Sequence, residues 1–177
     1  TGLDAKREKI IEIGILGFVY DGKTPPTLIS SYGAVEDPGE PLKPEITQIT
    51  GLCDRMLEGR KIDWQKVREL LQGAAVVVAH NASFDSAFIK RRPELQGLDL
   101  HWACSADHID WAAHGLRTRA LNYLAADHGF VNPFAHRAVF DCATTFRLIA
   151  PYLPELIEKS YEKRIRVLAR NSPFESK

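Results

Sequence analysis

Hydrophobic and polar positions along the chain follow two periods, and each marks a different kind of element. Residues 10–20 (IIEIGILGFVY) are β-rich, with Glu12 interrupting the apolar residues, and predict a central strand buried on both faces except near Glu12. Asp21-Gly22-Lys23 is a hairpin-type turn signal that Thr24-Pro25-Pro26 lengthens. Residues 28–34 (LISSYGA) predict a second, more polar strand at an edge, and Glu36-Asp37-Pro38-Gly39 breaks structure after it. Pro44 suits the first position of a short helix that ends at Gly51. Asp63 caps the next, with Trp64, Val67, Leu70 and Leu71 on its apolar face and Gly73 as its stop.

Residues 74–79 (AAVVVA) are short, β-branched and continuous, as a buried parallel strand should be. Residues 83–92 predict a helix that Pro93 ends, and residues 101–104 a short final strand. Helices are predicted at about 107–114, 118–128, 138–152 and 156–169. The last carries Leu156, Ile157, Tyr161, Ile165 and Leu168 on one stripe, which predicts docking back on the domain, with a partner-binding arm as the alternative. Antiparallel strands, a helical crossover, a buried strand, a helix and another strand make a mixed α/β sheet.

Composition adds limits. The 177 residues (19.8 kDa) fit one ordinary domain with a helical appendage. A chain of this size buries roughly 68–70% of its unfolded surface and needs no disulfide or metal staple. Hydrophobic residues are 45% and charged residues 26%, which argues against disorder. The 23 basic and 23 acidic residues cancel, so no global field marks a nucleic-acid or membrane partner, although a local basic rim is enough for an enzyme that releases its product. Cys53, Cys104 and Cys142 are scattered and odd in number, which reads as reduced intracellular thiols and a cytoplasmic setting. The longest apolar run, 74–79, is far short of the ~20 residues that span a bilayer, and no secretory leader is visible. Thr1-Gly2-Leu3-Asp4 does not resemble a natural start and the end is abrupt, so a piece of a longer protein is expected.

Two motifs carry chemistry. In His80-Asn81-Ala82-Ser83-Phe84-Asp85 a carboxylate falls just past a parallel strand and inside the first turn of a helix. That is the carboxyl edge of the sheet, where open α/β sheets place ligands, and a helix N-terminus favours an anion or its metal-bound form. The plainer alternative is a carboxylate that charges the first turn, with Phe84 in the core. In His136-Arg137-Ala138-Val139-Phe140-Asp141 the first and last residues would point about 140° apart on a continuous helix of 3.6 residues per turn. They converge only if His136 lies on the loop that Asn132-Pro133-Phe134 begins and Asp141 lies inside the helix. A loop histidine suits a general base; alone, the pair reads better as a solvated histidine and a surface aspartate.

Together and in this order, the motifs resemble the second and third signatures of the DEDDh, or DnaQ-like, 3′→5′ exonucleases, the type of the replicative proofreading subunit. Thr1-Gly2-Leu3-Asp4 and the following Lys9-Ile10-Ile11-Glu12-Ile13-Gly14 are similar to the tail of the first signature, usually D-x-E-T-T-G-L, and its next strand. Pro44-Glu45-Ile46-Thr47-Gln48-Ile49-Thr50-Gly51-Leu52 resembles the segment before the crossover. The likeness runs from Thr1 to about Tyr152. It implies a ribonuclease H-like mixed five-stranded sheet flanked by helices, order 3-2-1-4-5, with residues 1–154 as exonuclease domain and 155–177 as C-terminal helix and tail.

The resemblance also implies roles: Asp85 and Asp141 as metal ligands for Mg²⁺ or Mn²⁺, two ions in the complete site, and His136 as general base. Thr1, Gly2, Leu3, Asn81 and Phe84 would meet the 3′-terminal nucleotide of single-stranded or frayed DNA or RNA, with a nucleoside 5′-monophosphate as product. A polymerase or a homodimer mate are the protein partners it suggests; no membrane is implied. The Asp and Glu of the first signature would fall immediately upstream of Thr1. Two carboxylates do not neutralise two divalent ions spaced about 3.5–4 Å apart, so the 177 residues as they stand are expected to bind at most one ion weakly and to be inactive. The central strand would be missing too, leaving two facing rows of unpaired backbone groups. The expectation is a slot between strands 10–20 and 74–79 that another segment or chain fills; direct pairing of the two would overturn it.

Other residues rank lower. Lys90-Arg91-Arg92, Arg117 and Arg119 suit helix-dipole complementation and solvation better than a nucleic-acid path. His101, His108, His114 and His128 lack zinc spacing, and Ser105, Asp107 and His108 stand too close in sequence for a nucleophilic triad. A catalytically silent module that binds nucleic acid or a protein through the same fold is the alternative function. Retention of Asp85, His136 and Asp141 together argues for the enzyme.

Overall fold

The computed structural model describes the backbone of residues 6–170 and the side chains of residues 6–165. Thr1, Gly2, Leu3 and Leu168 lie outside the described side chains. Strands β1 (Glu12–Val19) and β2 (Thr27–Val35) form an antiparallel pair, with a register shift between Gly17 and Phe18. Asp21 makes the turn between them by accepting the backbone N–H groups of Lys23 and Thr24, both at 2.8 Å. Strands β3 (Val77–Ala79) and β4 (Trp102–Cys104) form a parallel pair.

The pairs belong to two separate two-stranded sheets, and among the described residues no ladder joins β1 to β3. Direct pairing of these strands, which would have closed the expected slot, does not occur. The five-stranded sheet therefore appears here as its two flanks. This also corrects the expectation that residues 10–20 are buried on both faces except near Glu12: the interior of β1 is half-buried throughout, and among the described residues only one of its edges has a neighbouring strand.

Both pairs nevertheless share one layer. Helix α1 (Pro44–Thr50) starts at its proline and ends on Gly51 at φ 72°, a left-handed conformation that suits glycine. A short helix that sequence did not suggest, α2 (Asp54–Leu57), buries Leu57 with Ile11 and Leu52. Helix α3 (Trp64–Gln72) is capped by the Asp63 carboxylate, which accepts the Lys66 N–H at 2.9 Å, a cap worth about 1 kcal/mol. Its Trp64, Val67 and Leu71 pack with Ile13 and Ile15 of β1 and Val77 of β3.

The opposite face carries α6 (Leu121–Asp127), α7 (Ala138–Ile149) and α8 (Leu153–Arg170). There Leu124, Leu148, Ile149, Leu153 and Leu156 are wholly buried against Phe18, Val76 and Val78. Each such side chain contributes roughly 1.5–3 kcal/mol. Alternate residues of β3 thus enter opposite cores, as a strand period of two requires.

Other departures are local. The strand expected over 74–79 is only Val77–Ala79, because Ala74 N–H still bonds to Leu71 O at the end of α3 and β4 offers three residues to pair with. The helix expected over 107–114 is α5 (Ser105–His108), and the one over 118–128 is α6. Helix α8 docks through Leu153, Leu156 and Ser160, while Tyr161 and Ile165 of the expected stripe stay exposed.

Candidate active site

Strand β3 ends at Ala79 and delivers His80 and Asn81 to the start of α4 (Ala82–Ile89). His80 is fixed between two groups: Nε2 lies 2.6 Å from the Arg119 carbonyl oxygen and Nδ1 lies 2.9 Å from Ser105 Oγ. A carbonyl only accepts, so Nε2 carries the proton and Nδ1 of the neutral ring receives the serine hydroxyl. Burial holds the imidazole below its ordinary pKa, which keeps that neutral form.

Asp85 sits in the first turn of α4 and Asp141 in the first turn of α7. Burial, followed by the charge of Asp141, pushes the Asp85 carboxyl up to about 6. Burial also raises Asp141. The Asn132 amide at 2.6 Å, the His136 backbone N–H at 3.3 Å and the His136 charge oppose that rise, while the Glu12 charge adds to it. Cys142, next along α7, is raised to about 12 by burial and by the charges of Asp85, Asp141 and Glu12. The charges of three acidic side chains from distant parts of the chain are thus all felt at Cys142.

His136 stands on the loop before α7 and Asp141 inside the helix, as convergence of the two requires. The histidine is exposed, with φ 65°, the one positive value among the described non-glycine residues. Asn81 is exposed and its side-chain oxygen accepts the Ser83 hydroxyl at 2.9 Å. Phe84 is 37% exposed with its ring 4.9 Å from that of Phe88, so it is a surface aromatic beside Asp85 rather than core. Lower-ranked groups have structural partners. Arg92 pairs with Glu36 and Glu94 and lies 3.9 Å over Trp64, and Arg119 pairs with Asp107. Ser105 is fully buried, its hydroxyl engaged by His80, while His108 Nδ1 accepts the Cys104 N–H, so no nucleophilic triad forms.

Sequence reasoning missed Glu12 and His80 as parts of this centre. A lone carboxylate inside an otherwise apolar strand was the signal for Glu12. The donor set suits a divalent cation in kind: Asp85 and Asp141 are half-buried carboxylates whose ionisation is opposed by burial and by a neighbouring acidic charge, which positive charge relieves. It falls short in number, since among the described residues no group of three or more His, Cys, Asp or Glu can hold a metal ion. No described helix is long and apolar enough to cross a membrane.

Solved structures share the fold. Exonuclease X in complex with 5′ overhanging duplex DNA matches with a TM-score of 0.62 at 20% identity, covering 85% of this chain and 90% of that one. The nuclease domain of 3′hExo, a DEDDh family member bound to rAMP, matches with a TM-score of 0.57 at 14% identity over 82% of this chain and 93% of that one. The fold these share is the ribonuclease H-like one, a mixed α/β sheet flanked by helices. The RNase T family profile, described as Exonuclease, matches residues 1–149, and the chain belongs to that family, in its DnaQ-like, DEDDh class. Relatives include the DNA polymerase III PolC-type proteins of Halalkalibacterium halodurans, 31% identical over 164 residues (90% of this chain, 11% of that protein), and Listeria innocua, 32% identical over 151 residues (82% and 10%). The chain thus spans about a tenth of the length of these relatives. Exonucleases of this kind generally use divalent metal ions.

Proposed function

We propose that this domain trims 3′ ends of single-stranded or frayed DNA as the exonuclease unit of a replicative polymerase, working with Mg²⁺ or Mn²⁺. The observation that carries the reading is the meeting of Asp85 and Asp141, each from the first turn of a helix, beside His136 on its loop. The PolC-type relatives support DNA over RNA and a polymerase as the partner.

Asp85 and Asp141 would hold the metal, with the remaining ligands coming from outside the described residues. Bound divalent ions supply Lewis acidity at the scissile phosphate. His136 takes a proton from the attacking water. The water oxygen bonds to phosphorus as the P–O3′ bond breaks, giving a nucleoside 5′-monophosphate and a new 3′-hydroxyl. The exposed ring of Phe84 would stack on a terminal base, a contact that tolerates any sequence. Asn81 and the segment Thr1-Gly2-Leu3 would complete the nucleotide's surroundings.

The test is digestion of 5′-labelled single-stranded DNA and RNA by the full-length natural protein and its Asp141→Ala form, with Mg²⁺, Mn²⁺ or EDTA. A DNA ladder shortening from the 3′ end, lost with EDTA and with the substitution, is expected. Shortening of RNA alone would move the substrate class, and binding without cleavage would leave a silent module.

A further inference from the structure

We propose that Glu12 is the positioning residue that presents His136 and Asp141 to substrate, an assignment that rests on the exonuclease reading above. Helix α7 has no cap of its own: its N-cap residue is Arg137, whose side chain makes no capping bond. Glu12 supplies the missing acceptor from β1. Its Oε2 takes the Ala138 N–H at 3.0 Å, and its carboxylate receives Arg137 Nε at 3.0 and 3.2 Å, with Arg137 Nη2 a further 3.0 Å away. A carboxylate at a helix N-terminus satisfies an otherwise orphaned N–H and complements the helix dipole.

The residue just before this clamp is His136, whose left-handed backbone persists only where neighbours over-determine it. Three residues beyond the clamped Ala138 lies Asp141, whose N–H bonds to Arg137 O at 2.9 Å and whose Oδ1 accepts the His136 N–H. Glu12 thus grips Arg137 and Ala138, two of the four residues between the base and the ligand. Helix α7 also meets the sheet at a second place, in close contact with Gly14 and Gly33.

The experiment compares Glu12→Gln with Glu36→Gln in the full-length natural protein. Glu36 is a comparable carboxylate away from α7: it accepts Arg92 Nη1 at 3.0 Å, the Trp64 indole N–H at 2.7 Å and the Ile62 N–H at 3.2 Å, so its variant reports the stability loss of a broken carboxylate network that touches neither His136 nor Asp141. Glu12→Gln is expected to lower kcat on the order of tenfold to a hundredfold, with KM for single-stranded DNA little changed. Glu36→Gln is expected to leave kcat unchanged at a similar loss of thermal midpoint. Equal kcat in the two variants overturns the assignment, as does a Glu12→Gln defect confined to KM or to stability.

If the natural protein cleaves nothing, the exonuclease reading fails on its own and amide exchange decides for Glu12. Selectively faster exchange at Ala138 and Asp141 in Glu12→Gln upholds the clamp, and exchange equal to that in Glu36→Gln overturns it.

Discussion

Gly14 of β1 is the register partner of Gly33 of β2, and the start of α7 lies against both. A Cβ on Gly14 would stand 2.5 Å from the Ala138 carbonyl carbon and 2.6 Å from the Val139 nitrogen, while one on Gly33 would meet the Val139 side chain. The pair makes a notch that lets the helix carrying Asp141 approach the sheet backbone, with Cys142 Sγ 3.2 Å from Gly14 O at its floor.

The two glycines should therefore respond differently to a methyl group. Gly14→Ala meets backbone that cannot yield and should cost at least the roughly 1–3 kcal/mol of an overpacked core, with loss of activity as α7 shifts. Gly33→Ala meets a side chain, and Val139→Ala should restore most of its loss. Thermal unfolding of the four proteins in the Gly33/Val139 cycle checks this; additivity of the two substitutions would place the glycine's role elsewhere.

Asp85 gives a pH-dependent stability. Its carboxyl sits at about 6 in the folded protein, pushed up from 3.8 by burial and then by Asp141. A raised acid costs the fold nothing below its unfolded pKa, costs more as pH climbs between the two values, and costs its full amount above the folded one. In EDTA, Asp85→Asn should unfold at a higher temperature than the parent at about pH 8, and the gap should close as pH falls below about 4. Adding Mn²⁺ should reverse the order, because only the parent has both carboxylates to bind it. Melting curves with and without the ion read both signs.

His136 combines a proton-accepting ring with a left-handed backbone. Asparagine tolerates that backbone but has no basic nitrogen. His136→Asn should therefore lower kcat by about 10²–10⁴-fold, the usual size of a general-base contribution, while Mn²⁺ affinity stays within about twofold. A matching loss of Mn²⁺ affinity, measured by calorimetry, would make the histidine a ligand instead.

Phe84 is the exposed aromatic beside Asp85. Phe84→Ala should weaken binding of a single-stranded 3′ end by about 1–3 kcal/mol, seen mainly in KM and equally for all four terminal bases. Steady-state kinetics on four oligonucleotides that differ only in the last base measure it. A base-dependent loss would mean that the ring reads identity rather than offering a stacking surface.

Local signals in the sequence placed most elements and put His136 on a loop with Asp141 inside the helix after it. Pro44 with Gly51 and Asp63 with Gly73 bounded two helices because caps act over three or four residues. The geometry of His136 and Asp141 followed from helical pitch alone. What sequence did not reveal depends on distant partners. The length of β3 is set by three residues of β4, and the contacts of Glu12 by an arginine in another part of the fold. The turn of helix at Asp54 was hidden for a different reason: four residues are too few to show a period.

The bond between Glu12 and Arg137 closes a loop of 125 residues. A ribosome adds about 5–20 residues each second, so β1 emerges well before the helix that it will hold. Throughout that interval the nascent chain has neither Asp141 nor the grip on His136, and for more than half of it Asp85 is absent as well. On the proposed reading, hydrolytic capacity would thereby be tied to completion of the domain.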